Sequence, residues 1–398
     1  MSATLSELRR YAVARSLFPR TTLQEAVGRL GFVQADPIRA PARAQDLTLR
    51  HRVVGYRTGD LERRYPALEL EEDVLVNYGF VTRAVHALMH PRAGLGGWSA
   101  SQRKRVQAIL GFVRAHGTAH PRQVDDHFAH GRVTNYWGGS SNATTHLLEA
   151  MHYRGLLRVV RRDAGIRVYT AQESASRPAD RTARIRRLDA LVDVVVRKYA
   201  PLPAQSLSSL VGRLRYAVPQ WRGELKAAFG RAKLRLAHAR VEGVDWYWPA
   251  DESIGTHAPA DSAHLLAPFD PVVWDRRRFQ LLWGWAYRFE AYTPVNKRIR
   301  GYYALPLLWR ERVIGWGNVS VAPGGLQAEL GYVAGQPPPD RRFVRAMEAE
   351  LERLRVFLAA GFDTQDTSVP LRILPAGDVL PRAAAAEGPA AGAGREHP

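Results

Sequence analysis

Leu156-Leu157-Arg158-Val159-Val160-Arg161-Arg162, then Asp163-Ala164, then Gly165-Ile166-Arg167-Val168-Tyr169-Thr170: two extended runs joined by a short turn predict a β-hairpin. Working upstream, the same region supplies three helices. Ser99–His116 opens on a capping serine, His120–Phe128 is entered through Pro121, and Asn142–Arg154 sets Leu147, Leu148 and Met151 on one face before Gly155 stops it. Three helices followed by a hairpin is the order of a winged helix, whose third helix enters the major groove while the wing lies on the backbone.

The pattern recurs further out. Arg181–Tyr199, Ser206–Arg215 and Trp221–Phe229 read as helices, and Leu234–Val241 with Val244–Trp248 as a second hairpin. Ser6–Leu17 and Thr22–Leu30 have apolar residues at helical spacing, Gly31 ends the second, and the extended stretch from Phe32 is stopped by Pro37. The rest of the first 95 residues reads as loops. From about residue 262, aromatic-rich runs predict strands at Phe279–Trp285, Tyr287–Tyr292, Gly301–Trp309, Glu311–Val321 and Leu326–Val333, followed by an amphipathic helix at Pro337–Phe357. The expected fold is therefore α+β and mostly helical, with tandem winged-helix (helix-turn-helix) motifs and a small C-terminal antiparallel β domain. Expected units are 1–98, 99–178, 179–255 and 256–360, with a tail at 361–398 that is largely disordered after 383.

Composition narrows the function. Across 398 residues there are 57 Lys and Arg against 38 Asp and Glu, a net charge of +19, and only five of the cations are Lys. Such an excess suits a polyanion, and the planar guanidinium suits phosphates and guanine edges. The absence of cysteine excludes disulfides, iron–sulfur clusters and a thiol nucleophile. None of the thirteen His is read as part of a metal-binding pair, so no metal is expected. No uncharged apolar run is long enough to span a bilayer, and no basic amphipathic helix of sufficient moment points to an anionic membrane. Met1-Ser2-Ala3-Thr4-Leu5 does not read as a secretion signal. No phosphate-binding glycine loop, dinucleotide fingerprint, nucleophile elbow or catalytic triad occurs, so no cofactor is expected.

One triplet stands out chemically. In Gln34-Ala35-Asp36 an extended backbone sets an amide and a carboxylate on one face, where together they hold and activate a water; Pro37 keeps Asp36 out of helical geometry. Arg39, Arg43, Arg50 and Arg52 follow closely and are candidate phosphate contacts. Ser140, Ser141, Asn142 and Thr145, after Trp137-Gly138-Gly139, lead into the third helix and suit a phosphate at its N-terminus. On the hairpin, Arg158, Arg161, Arg162 and Arg167 are candidate backbone contacts. Trp283, Trp285, Tyr302, Tyr303, Trp309 and Trp316 fit either a base-stacking platform or the core of a small β domain.

Three stretches resemble the YcaQ/AlkZ-like DNA glycosylases. They are Leu30-Gly31-Phe32-Val33-Gln34-Ala35-Asp36 with Ala42-Arg43-Ala44; Leu265-Leu266-Ala267-Pro268-Phe269-Asp270-Pro271-Val272-Val273-Trp274-Asp275-Arg276; and Tyr292-Thr293-Pro294-Val295-Asn296-Lys297-Arg298-Ile299-Arg300-Gly301-Tyr302-Tyr303-Ala304-Leu305-Pro306. The resemblance implies tandem winged helices lining a cationic channel for duplex DNA, and hydrolysis of the N-glycosidic bond of N7-alkylguanine-type lesions, including interstrand crosslinks. It places the catalytic pair at Gln34 and Asp36, the latter marking the YcaQ branch, and adds Lys297, Arg298 and Arg300 to the DNA contacts. Differences from that branch are Gln45 in place of a His, the stretch Asn77-Tyr78-Gly79-Phe80-Val81-Thr82, and Thr145 in place of a Lys. With Lys104 and Lys198 the only lysines before residue 200, and neither read as close to the triplet, no amine nucleophile is expected and the enzyme is expected to be monofunctional. The expectation is a cytoplasmic, nucleoid-associated monomer acting on alkylated or crosslinked double-stranded DNA. A non-catalytic winged-helix regulator explains charge and fold equally well; an RNA-binding module lacks recognisable motifs.

Overall fold

The computed structural model describes residues 3–93, 96–129, 131–134, 140–173, 180–255, 260–322, 325–359 and 372–375. The chain is α+β, with thirteen α-helices and several mainly antiparallel sheets among these residues.

The N-terminal part runs α1 (Leu5–Ser16), α2 (Leu23–Leu30), β1 (Phe32–Gln34), α3 (Ala44–Leu49), α4 (Asp60–Arg64), β2 (Leu70–Val74), β3 (Tyr78–Thr82) and α5 (Arg83–Met89). Helices α1 and α2 both start in capping boxes, Thr4 with Glu7 and Thr22 with Glu25. Gly31 ends α2 at φ 67°, and a Cβ there would lie 2.8 Å from Val194 Cγ1, so conformation and packing both require glycine. Strands β2 and β3 correct the expectation of loops. The three strands pair antiparallel in the order β1-β3-β2. The sequence hides β2 because three of its five residues, Glu71, Glu72 and Asp73, are acids, yet all three are buried. Arginines make that burial tolerable: Arg158 and Arg83 on Glu71, Arg162 on Glu72, Arg92 on Asp73.

The central region follows the expected order closely: α6 (Ala100–His116), α7 (Pro121–Phe128), β4 (Arg132–Thr134), β5 (Ser140–Asn142), α8 (Ala143–Tyr153), β6 (Leu157–Asp163) and β7 (Ile166–Ala171). The short β4–β5 ladder before α8 was not foreseen. Next come α9 (Arg181–Tyr199), β8 (Leu202–Pro203), α10 (Ala204–Arg213), α11 (Leu225–Arg235), β9 (Ala237–Val241) and β10 (Val244–Trp248).

The C-terminal part contains β11 (Ala263–Leu265), α12 (Arg276–Trp283), β12 (Leu305–Trp309), β13 (Arg312–Ala322), β14 (Gly325–Tyr332), α13 (Arg341–Ala359) and β15 (Arg372–Pro375). Its five-stranded sheet has the order β11-β12-β13-β14-β15, with β15 parallel to β14. Two expected strands are corrected. Residues 276–283 are a helix capped by Asp275 and closed by Gly284 in the left-handed region, and residues 286–290 form no strand. Trp137, Gly138, Gly139 and the tail after residue 383 lie outside the described residues.

The apolar interior ignores the linear order of units. One cluster joins α2, the α6–α8 region and the C-terminal sheet with α13; a second joins Phe32 and α5 to α9–α11; a third joins α1, β9–β10 and α12. Strand β1 lies where the first two meet, with Val33 in one and Phe32 in the other.

Candidate active site

Strand β1 delivers Gln34 at its end, opposite Gly79 of β3. A Cβ at Gly79 would sit 2.2 Å from Val33 O and 2.9 Å from Gln34 Cα, so only glycine lets β3 approach so closely. The Gln34 side chain is buried and held in one orientation. Its Oε1 accepts from Trp274 Nε1 at 2.7 Å and from Asn77 Nδ2 at 2.9 Å. An indole N–H only donates, so the atom facing it is the amide oxygen. Gln34 Nε2, a double donor, is left for whatever enters the site; among the described residues nothing accepts from it.

Trp274 arrives from an unusual distance in sequence, and the 268–274 turn explains how. Asp270 is fully buried; its Oδ1 accepts from Val272 N at 3.0 Å, its carbonyl from Trp274 N at 2.8 Å, and its carboxylate takes both terminal nitrogens of Arg52 at 2.8 and 3.1 Å. This locked turn projects the indole onto Gln34.

Asp36 lies two residues on. Its backbone N–H donates to Gln45 Oε1 at 3.1 Å and its Oδ1 accepts from Ile38 N at 2.9 Å. The second carboxylate oxygen accepts no hydrogen bond among the described residues. Burial pushes the Asp36 carboxyl above its ordinary pKa, opposed by the Ile38 N–H. Its negative charge reaches the phenols of Tyr303 and Tyr292 and helps hold both protonated. Tyr303 is buried, and among the described residues its hydroxyl has no hydrogen-bond partner. Gln45 thus holds the backbone of Asp36, and Asn77 holds the amide of Gln34. Neither role is legible locally: Asn77 reaches Gln34 across 43 positions, and Gln45 meets Asp36 only once the chain turns back through α3.

The cations sort by burial. Arg39, three residues after Asp36, is exposed, and Arg43 is half-buried and paired with Glu62. Arg50 and Arg52 are corrections: both face the interior, Arg50 bonding Glu350 and Leu265 O and Arg52 bonding Asp270, Ser16 O and Thr48 O. Their charges are spent on joining the N-terminal helices to the C-terminal domain, so no phosphate reaches them. On the hairpin, Arg158 holds Glu71 at 2.7 Å, Arg162 holds Glu72 at 2.6 Å, and Arg167 meets Glu149 at 3.1 Å while lying over the Tyr78 ring; Arg161 is exposed and paired with Asp163. Ser140, Ser141 and Asn142 form β5, and Thr145 is half-buried in the first turn of α8. Lys297 is exposed. Arg298 is half-buried, donating to Thr293 O at 2.8 Å. Arg300 is half-buried too, with its guanidinium 5.1 and 5.5 Å from the indoles of Trp285 and Trp316. Trp283, Tyr303 and Trp309 are buried, so the aromatic set is mainly core, with Tyr302 exposed.

Lys198 is a further correction. It is buried behind β1, donating to Phe32 O, and burial lowers its pKa to about 7. Two clusters also bring three possible metal ligands within 4.8 Å: His51, His264 and Glu350, and Asp73, His86 and His90. The His86/His90 spacing of four was passed over in the sequence. In each cluster an arginine already occupies the carboxylate, Arg50 on Glu350 and Arg92 on Asp73, and those charges oppose a cation.

Comparison with known proteins gives the family and the fold. The family model of the DNA glycosylase AlkZ-like proteins matches residues 27–357. The fold is similar to that of Streptomyces sahachiroi DNA glycosylase AlkZ, with a TM-score of 0.62 and 16% identity, over 94% of this chain and all of that one. No helix among the described residues is long and apolar enough to cross a membrane. With five-sixths of its length matched, the chain belongs to the AlkZ-like family of DNA glycosylases, enzymes of DNA repair.

Proposed function

We propose that this chain is a monofunctional glycosylase that hydrolyses the N-glycosidic bond of alkylated purines of the N7-alkylguanine type, interstrand crosslinks among them. The observation that carries the proposal is the complementary pair at the end of β1: an amide locked with its NH2 outward and a carboxylate with one oxygen uncommitted. N7 alkylation makes the purine a cationic, ready leaving group, so no general acid is needed. As the bond breaks, charge builds on the sugar, and a partly desolvated carboxylate stabilises it strongly. Gln34 Nε2 holds the attacking water by its oxygen, and Asp36 accepts the proton that the water loses. The raised pKa of Asp36 makes it a stronger base than an exposed aspartate.

In this reading α6–α8 with β6–β7, and α9–α11 with β9–β10, act as winged-helix units around duplex DNA, with Arg39, Arg161 and Lys297 as the exposed contacts. Lys198 stays structural, since its ammonium is turned to a backbone carbonyl. The test is release of N7-methylguanine from a duplex, and unhooking of a nitrogen-mustard crosslink, by wild type beside Asp36→Asn. Wild type should leave an abasic site that borohydride does not trap on the protein. The variant should lose about 100- to 1,000-fold in rate while binding DNA as before. Binding without release across a wider lesion panel would sink the proposal in favour of a non-catalytic DNA-binding protein.

A further inference from the structure

Away from β1, a cavity of about 190 Å³ opens on the seam between the N-terminal part and α13. Arginines line it from both sides: Arg20, Arg50 and Arg57 from the N-terminal part and Arg353 from α13. Among the described residues the lining holds one acid, Glu352, and that carboxylate is turned to Arg355 on its own helix at 2.7 and 2.8 Å. Behind the floor, the fully buried Glu350 is bonded to both Arg50 and Arg353. Five guanidiniums thus meet two carboxylates, and the cavity keeps a positive surplus.

In an arginine-rich chain, charge alone would mean little; here the cations are held in place. Arg57 Nη1 donates to Val356 O. Arg353 gives Nε and Nη2 to Glu350 at 3.2 and 2.9 Å, and Nη2 also to Ala263 O at 3.0 Å. Among the described residues this leaves Arg57 Nε and Nη2, Arg353 Nη1 and all of Arg20 without a hydrogen-bond partner. Arg50, committed to Glu350 and Leu265 O, stays at the floor, where it adds charge but no bond. Burial first, and then the charges of Arg353 and Arg50, hold the Arg20 guanidinium below its ordinary value. The rest of the wall is apolar, with Val53 and Val356 beside the stacked rings of Tyr56 and Phe357. Such a wall focuses the field of the cations onto whatever enters.

Size decides the class of ligand. The cavity is smaller than the roughly 300–1,000 Å³ of sites for drug-sized molecules, yet several times the roughly 30 Å³ share of one water. It has room for a small oxyanion but not for a nucleotide. We propose that the seam binds one free oxyanion of the phosphate class, held by Arg20 and Arg57 on one side and by Arg353 on the other. A duplex also carries phosphates, but on the outside of a wide rod that a concavity of this size does not engulf. Bound there, the anion ties the N-terminal helices to α13 across the seam that Thr58 N and Phe357 O already bridge. The proposal is independent of the reading of Gln34 and Asp36.

The test needs no catalysis. Full-length protein is titrated with potassium phosphate by calorimetry, at an ionic strength held constant with chloride so that screening of a +19 chain does not change. Wild type should bind one phosphate per chain saturably, and its melting temperature should rise with phosphate as linkage requires. Arg20→Gln removes a side chain that no described residue bonds, so the fold is kept, and phosphate binding should weaken about 10- to 100-fold. Arg222→Gln, which removes an equal charge from an exposed position before α11, should bind phosphate as wild type does. Affinity for an undamaged duplex at the same ionic strength should be equal in wild type and Arg20→Gln, and saturating phosphate should not displace the duplex. Absence of saturable binding by wild type, or no selective weakening in Arg20→Gln, would overturn the site. A duplex that loses affinity in Arg20→Gln, or is displaced by phosphate, would overturn it too, in favour of a contact to the DNA backbone.

Discussion

At the scale of single residues, the site depends on orientation more than on identity. Gln34 and Asp36 were legible in the sequence as a pair, but the direction of the amide was not, because it is set by Trp274, which lies 240 positions away. Removing that donor should therefore matter, because Trp274 sets the direction of the Gln34 amide. Trp274→Phe keeps an aromatic ring, though a smaller one, and deletes one of the two bonds on Gln34 Oε1, freeing the amide to turn. The expected result is a drop of about 5- to 10-fold in single-turnover excision, with DNA affinity unchanged. An unchanged rate would mean that Asn77 alone suffices. Asp36 carries a pH prediction. The base must be ionised, and burial raises its pKa, so the rate should climb with pH along a limb lying above the ordinary carboxylate range. Single-turnover rates between pH 4 and 7 check this; the limb should vanish from the residual rate of Asp36→Asn.

At the scale of elements, the hairpin that decides the fold was readable to within a residue, and its chemistry was not. Alternation and a turn dipeptide identify β6 and β7, but nothing local says that Arg158 and Arg162 face the buried acids of β2. The same blind spot hid β2 itself, since a strand of Leu70-Glu71-Glu72-Asp73-Val74 breaks the rule that charges mark solvent. In α12 the aromatic residues misled: Phe279, Leu282 and Trp283 follow helical spacing, and Asp275 and Gly284 are its start and stop signals. The hairpin now yields a contrast between neighbours. Arg162→Ala removes the arginine bonded to the buried Glu72, leaving it the Tyr78 hydroxyl and a more distant Arg167, and should destabilise the protein by about 3 kcal/mol, as breaking a buried pair does. Arg161→Ala removes only an exposed pair and should leave the melting temperature alone while lowering the salt slope of DNA binding by about 1. Denaturant unfolding and affinity measured across salt concentrations separate the two; equal effects of both variants on stability would contradict the assigned burial.

At the scale of the whole molecule, interior charges tie together parts that composition alone would place on the surface. A +19 chain invites the view that arginines are for DNA, yet Arg50, Arg52, Arg92 and Arg278 are internal fasteners. The interior also holds histidines that stay neutral. Burial depresses His51 well below its ordinary value, His86 to about 3, and His152 and His264 to about 4. In the unfolded chain each titrates near 6.5. Between those values the unfolded chain binds more protons than the folded one, so stability is full above about pH 6.5 and falls as the pH drops towards 4. The paired carboxylates Glu72, Asp73 and Glu350, all held below their ordinary values, add a further loss only at lower pH. Melting temperature should therefore decline already between pH 6.5 and 5, before carboxylates titrate. His152→Gln, which keeps a donor for Glu72 O while removing one buried base, should flatten part of that decline. A melting temperature constant from pH 7 to 5 would show that these rings are hydrated or protonated in the folded protein, against their burial.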